Sequence, residues 1–115
     1  MKVYISGKIT GDPSYWGKFA IAEETLECQG HIVLNPAILP EGMAPADYMR
    51  ICMAMLDSAD AIVMLPDWSD SDGSSIEYEM ARYSGIPTYI LDEDGECELQ
   101  NEKSRHQRDN SDDGK

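Results

Sequence analysis

The sequence predicts an α/β fold, a three-layer sandwich built on a parallel sheet of about four strands in the order 2-1-3-4. Three observations predict it. Short runs rich in β-branched residues, at 2–6, 31–34, 61–65 and 88–91, alternate with longer stretches whose apolar residues recur at helical spacing. Each strand-to-strand connection holds such a helical stretch, as right-handed crossovers in a parallel sheet require. The 115 residues suffice for one domain of this kind and not for two.

The first strand covers Lys2 to Ser6, with Val3 and Ile5 β-branched, and it breaks at Gly7. Ser6-Gly7-Lys8-Ile9-Thr10-Gly11-Asp12 then brings two glycines, two hydroxyls and a lysine ahead of a helix. This is neither G-x-G-x-x-G nor a Walker loop. A turn of this composition can aim backbone N–H groups at a phosphate, or it can simply be tight. Asp12-Pro13 marks the helix start, with Tyr15, Phe19, Ala22 and Leu26 facing inward and Glu23, Glu24 and Glu27 outward. Gly30 ends that helix, and His31 to Leu34 form the second strand, His31 serving as strand entry and not as a ligand.

Residues 35–44 carry two prolines and a glycine and read as a loop. A second helix runs from about Pro45 to Ser58 with Met49, Cys52, Met53 and Leu56 inward. Asp60 opens the third strand, Ala61-Ile62-Val63-Met64-Leu65, which Pro66 ends. The third helix lies before Gly85-Ile86-Pro87, and Thr88 to Leu91 form the fourth strand. From Asp92 the chain turns polar, so the expected organisation is a domain over 1–91 and a flexible acidic tail over 92–115. Asp94-Gly95 could close a hairpin that adds an extra C-terminal strand at Cys97-Glu98-Leu99.

The third helix holds the most suggestive carboxylate. On a wheel of ~100° per residue, Tyr83, Ile76, Met80, Ser84, Glu77 and Ala81 share the arc expected to meet the sheet, with Tyr78, Arg82 and Glu79 opposite. Glu77 is then aimed at the sheet, where an unpaired carboxylate is costly. A plainer role is also open. Ser74-Ser75-Ile76-Glu77 fits a capping box, with Ser74 as N-cap and Glu77 reaching back to its amide.

A formal net charge of −13 and a pI near 4.2 argue against nucleic-acid polymers and anionic membranes as partners. A small anion could still be held by backbone amides. No apolar run approaches the ~20 residues that cross a bilayer, and no leader pattern opens the chain, so a cytoplasmic protein is expected. Cys28, Cys52 and Cys97 are odd in number and widely spaced, which indicates neither a disulfide framework nor a zinc site. Cys28 and Cys52 are read as small core residues, and no metal or organic cofactor is expected.

In the order 2-1-3-4 the chain reverses between strands 1 and 3, which places the loops after Ser6 and after Pro66 side by side. That crevice is where ligands bind in open α/β sheets. Tyr4, Ser6, Gly7, Lys8, Ile9 and Gly11 would line one side, and Asp67, Trp68, Ser71, Gly73, Ser74 and Glu77 the other. A helix start at Ser71 to Ser74 favours an anion, and Trp68 could cover a flat ring or merely pack.

Tyr4-Ile5-Ser6-Gly7-Lys8-Ile9-Thr10-Gly11, Gly30-His31-Ile32-Val33-Leu34-Asn35-Pro36-Ala37, Ala59-Asp60-Ala61-Ile62-Val63 and Ser71-Asp72-Gly73-Ser74-Ser75-Ile76-Glu77 together resemble the nucleoside 2-deoxyribosyltransferase superfamily. The likeness covers Met1 to Leu91 and is nearest to short bacterial and phage members. It implies a flavodoxin- or Rossmann-like sandwich that cleaves an N-glycosidic bond. Glu77 would attack the anomeric carbon, Tyr4 would orient it, and Asp60 would serve on the base side as proton donor. The sugar would pass to water or to a second base. Ser71 stands where nucleoside-transferring members carry aspartate and where nucleoside 5′-monophosphate N-glycosidases carry a phosphate-binding serine, which points to a nucleotide. Lys8 and Thr10 depart from the serine and arginine of those hydrolases. The resemblance also implies a homodimer or higher homo-oligomer.

A module that binds a nucleotide without turning it over is the alternative function. A signalling receiver domain does not fit, because Ser6-Gly7 follows the first strand where an acidic cluster is needed.

Overall fold

The structure, a computed structural model, describes residues 1–99. Strand β1 (Lys2–Ser6) leads through a glycine-bearing loop to helix α1 (Tyr15–Cys28), strand β2 (Ile32–Leu34) and a 3-10 turn (Pro36–Ile38). Helix α2 (Pro45–Ser58), strand β3 (Ala61–Met64), a second 3-10 turn (Trp68–Asp70) and helix α3 (Asp72–Ser84) follow. Strands β4 (Thr88–Leu91) and β5 (Cys97–Leu99) complete the sheet.

The sheet order is β2-β1-β3-β4-β5, so the predicted 2-1-3-4 arrangement holds. β1 pairs in parallel with β2 and β3, and β3 with β4. β5 adds an antiparallel edge strand to β4 across the turn at 92–96, where Gly95 takes a φ of 83°. The sheet thus continues past Leu91. From Gln100 onward, the polar tail read over 92–115 lies outside the described residues.

Alternation along the central strands divides the core in two. Val3, Ile5, Ala61, Val63 and Leu65 face α1, where Phe19, Ala22 and Leu26 meet them. Tyr4, Ile62 and Met64 face α2 and α3, against Cys52, Leu56 and Ala81. β3 is buried along its whole length because helices cover both faces, which explains its unbroken apolar run.

Three local expectations require correction. α1 starts at Tyr15, because the Asp12 carboxylate captures the amide and hydroxyl of Ser14 and holds that turn outside the helix. Cys28 is exposed at the end of α1, so it is no core residue, whereas Cys52 is buried. α3 is rotated from the wheel's arc. Its buried residues are Ser74, Glu77 and Ala81, while Ile76, Met80 and Tyr83 are 50%, 43% and 86% exposed.

Candidate active site

Tyr4 and Ser6 occupy alternate positions of β1 and therefore project from the same face, toward α3. The first turns of α3 run along the carboxyl ends of β1 and β3 and carry Glu77 to meet them. The Tyr4 hydroxyl donates to Glu77 Oε2 at 2.7 Å, and the Ser6 hydroxyl donates to Oε1 at 2.6 Å. Ser74, one turn before Glu77, lies 2.9 Å from Ser6 Oγ. Ser6 spends its one proton on the carboxylate, so the Ser74 hydroxyl donates to Ser6. The three hydroxyl groups thus point their protons, directly or in relay, at one carboxylate.

Glu77 is only 6% exposed. Burial pushes its carboxyl above the usual range, and the hydrogen bonds from Ser6 and Tyr4 pull the other way without cancelling it. Burial, then the neighbouring Glu77 charge, pushes the Tyr4 phenol far upward, so it remains a protonated donor. Cys52, on α2, touches the same hydroxyl, and its thiol is raised chiefly by burial.

Glu77 does not cap its helix. Ser71 is the N-cap of α3, in extended backbone, and its Oγ accepts the Ser74 amide at 3.2 Å. Two serines three apart competed for that role, and the earlier one won because Ser74 is buried against β1.

The loops flanking Glu77 are held together by side chains. Lys18 Nζ, from α1, donates to the Lys8 carbonyl at 2.8 Å, to Asp12 Oδ2 at 2.7 Å and to Asp67 Oδ2. Asp67 Oδ1 accepts the Lys8 amide at 3.2 Å. Both Asp67 oxygens therefore serve the loop and not a ligand, and the Lys8 amide is spent. Gly7 is required by space: a Cβ there would come within 2.9 Å of Leu65 Cδ1 and 3.0 Å of Leu65 Cβ. Gly11 has a φ of 82° and opens to solvent, in a backbone state that suits glycine. Ile9 packs on the α1-side core. A Cβ at Gly73 would meet only ordinary contacts, so no steric need fixes that glycine.

Trp68 stacks on Tyr78 with ring centroids 4.5 Å apart, which covers one face of its indole. The helical wheel puts Tyr78 on the outward side; the rotation of α3 brings it to Trp68 instead.

Asp60 is not part of this constellation. It precedes β3 at the amino end of the sheet, accepting the Lys2 amide at 2.8 Å and lying 3.9 Å from Lys2 Nζ. In the β1–β3 register it stands beside Lys2, four residues before Ser6, or ~13 Å at ~3.3 Å per residue. The expected proton-donor position is thus at the wrong end of β3, and the reason is plain from pairing: Asp60 fastens the start of β1.

Lys18 and Asp12 are the members that sequence reasoning missed. Nothing in the sequence distinguishes Lys18 from a solvated helix lysine, because its three acceptors lie 6, 10 and 49 positions away. A groove of about 810 Å³ between α1 and the β4–β5 turn is lined by Lys18 and Asp67 but does not reach Tyr4, Ser6 or Glu77. Among the described residues, no group of three or more His, Cys, Asp or Glu side chains is placed to hold a metal, and no helix is long and apolar enough to cross a membrane.

Comparison with known proteins agrees with the fold. A 2-deoxyribosyltransferase from the psychrotolerant bacterium Bacillus psychrosaccharolyticus superposes with a TM-score of 0.63 at 17% identity, covering 78% of this chain and 71% of that one. No curated protein matches the chain. The α/β sandwich is thus of the 2-deoxyribosyltransferase kind in its fold. The model of one family, described as Domain of unknown function (DUF4406), matches residues 1–90, and the chain belongs to that family.

Proposed function

We propose that the protein cleaves the N-glycosidic bond of a deoxynucleoside or a nucleoside 5′-monophosphate, with Glu77 as nucleophile. The observation that carries this reading is the buried Glu77 carboxylate, held at one oxygen by Tyr4 and at the other by Ser6, where the chain reverses between β1 and β3. A lone buried carboxylate is costly to a fold, and groups perturbed in this way concentrate at functional sites. The fold shared with a 2-deoxyribosyltransferase supports the same chemistry.

One carboxylate oxygen forms a bond to the anomeric carbon as the bond to the base nitrogen breaks, and the electron pair leaves with the base. The base takes its proton from solvent water, leaving hydroxide, since Asp60 is held at Lys2. Water or the N–H of a second base then attacks the anomeric carbon and gives its proton to the hydroxide left by the first step, the ester C–O bond breaks, and Glu77 returns as carboxylate. Tyr4 and Ser6 keep the carboxylate from rotating. Ser71 Oγ and the free amides at the start of α3 suit the 5′ end of the substrate, phosphate included.

The strongly acidic chain supports a small-molecule substrate over a nucleic-acid polymer. The exposed apolar stripe Ile76, Met80 and Tyr83 on α3 supports assembly as a homodimer, for which light scattering at micromolar protein is the test.

The deciding experiment incubates wild type and Glu77→Gln with a panel of deoxynucleosides and 5′-monophosphates and follows free base by chromatography. Release by wild type alone is expected. Binding without release by both proteins would establish the binding-module alternative, and equal release by both would remove Glu77 from the nucleophile's role.

A further inference from the structure

Lys18 reaches from α1 to three acceptors on two different loops. Its three ammonium protons match the Lys8 carbonyl and Asp12 Oδ2, both in the loop after β1, and Asp67 Oδ2, in the connection after β3. Asp67 closes the circuit by accepting the Lys8 amide on its other oxygen. These side chains are 24%, 19% and 30% exposed for Lys18, Asp12 and Asp67, so water screens them only in part. The ring of bonds sits one residue beyond Gly7, where an added Cβ would come within 2.9 Å of Leu65 Cδ1. The loop after β1 begins at Ser6, which holds Glu77 Oε1, and the connection after β3 ends at Ser71, which caps α3. Whatever fixes the two loops to each other fixes how the end of β1 at Ser6 and the start of α3 at Ser71 face one another around Glu77.

We propose that Lys18, with Asp12 and Asp67 as its counter-ions, is a positioning residue that sets the spacing of the two loops around the substrate and touches no substrate itself. The proposal rests on the glycosidic reading of the site. Lys18 has no free proton for a phosphate, so its contribution is geometric and the same for a nucleoside and for its 5′-monophosphate. The clamp also holds over a wide pH range. The hydrogen bond from Lys18 keeps the Asp12 carboxyl down at about 2. Burial works against the charge on Lys18, but its bonds to Asp12 and Asp67 outweigh this and hold the ammonium above its ordinary range.

The test compares wild type, Lys18→Met and Lys18→Arg by two readouts: kcat and KM for a matched nucleoside and 5′-monophosphate, and hydrogen exchange of the Lys8 amide by NMR. Lys18→Met is expected to lower kcat by ~10- to 100-fold on both substrates, as sub-ångström misplacement does. The Lys8 amide should exchange at least about tenfold faster, and Lys18→Arg should recover part of both losses. Asp12→Asn, which weakens one arm, should shift Lys8 exchange in the same direction and stands in if Lys18→Met does not fold. A loss confined to the monophosphate would make Lys18 a phosphate ligand and overturn the proposal. Unchanged Lys8 exchange in these variants would overturn it equally. If wild type releases no base from any substrate, the glycosidic reading falls while Lys8 exchange still decides whether the clamp exists.

Discussion

Glu77→Gln should make the protein more stable at neutral pH while abolishing base release. The amide is nearly isosteric with the carboxylate, and the site can accommodate it. Its carbonyl oxygen can still accept from Tyr4, 2.7 Å from the present Oε2, and its NH2 can donate to Ser6 Oγ. Ser6 then turns its own proton to Ser74, 2.9 Å away. Two charge-assisted hydrogen bonds become neutral ones, a loss of about 1 kcal/mol each. Against this, the variant no longer holds a charge out of water, a penalty of several kcal/mol for a group this buried. The net is a gain of about 1–2 kcal/mol, or roughly 4–8 °C in Tm for a domain of this size. The pH dependence supplies the sign. Burial raises the folded-state value of Glu77 above that of the unfolded chain, so its contribution to stability is complete below the unfolded value and is lost as pH rises through the folded one. The variant has no such term. Thermal unfolding followed by circular dichroism should therefore show the largest Tm difference near pH 7, shrinking as Glu77 takes up its proton at low pH. A variant less stable than wild type at pH 7, or a difference that does not change with pH, would refute the reasoning.

Three further substitutions probe separate parts of the argument. Tyr4→Phe removes the donor to Oε2, so base release should fall ~10- to 100-fold. With one of its two opposing hydrogen bonds gone, Glu77 titrates higher, and the acid limb of the pH–rate profile should move to higher pH. Gly7→Ala drives a methyl group into Leu65 and should cost about 1–3 kcal/mol in urea unfolding, where a neutral result would mean that β3 yields at its end. Asp60→Asn touches an exposed pair at the far end of the sheet and should cost about 1 kcal/mol or less with base release nearly unchanged; a tenfold loss of rate would restore Asp60 to the chemistry.

The sheet was readable because its strands are short, β-branched and separated by helical periods, and because right-handed crossovers leave few orders to choose from. That order sets the end of β1 beside the connection after β3, and there Tyr4, Ser6, Ser74 and Glu77 meet. The orientation of α3 was not readable. A wheel seeks the apolar arc, but the inward face of this helix is made of Ser74, Glu77 and Ala81, which are small or polar because the helix lies close over the hydroxyls of β1. The apolar Ile76, Met80 and Tyr83 were left outside. Asp60 and Asp67 misled for a related reason: each follows or precedes a strand end, and sequence does not say whether a carboxylate there meets a ligand or the backbone of the next strand. Here Asp60 takes the Lys2 amide and Asp67 the Lys8 amide.

The two hydrogen bonds on Glu77 also bear on which half of the proposed reaction is slow. Donors that stabilise a carboxylate make it a weaker nucleophile, since part of their energy is lost when the oxygen bonds to carbon. The same donors make it a better leaving group when the glycosyl ester is resolved, because they are regained as the charge returns. Burial acts in the opposite sense, raising the carboxylate's basicity and favouring attack. A site that combines both balances the two steps, whereas removing either donor shifts the balance toward a longer-lived ester. Tyr4→Phe should therefore accumulate glycosylated protein, visible as an added sugar mass on the intact chain after acid quench. Wild type should show less. If the variant instead shows neither the adduct nor base release, the Tyr4 hydroxyl is needed for attack itself, and its role is to orient Glu77 toward the anomeric carbon.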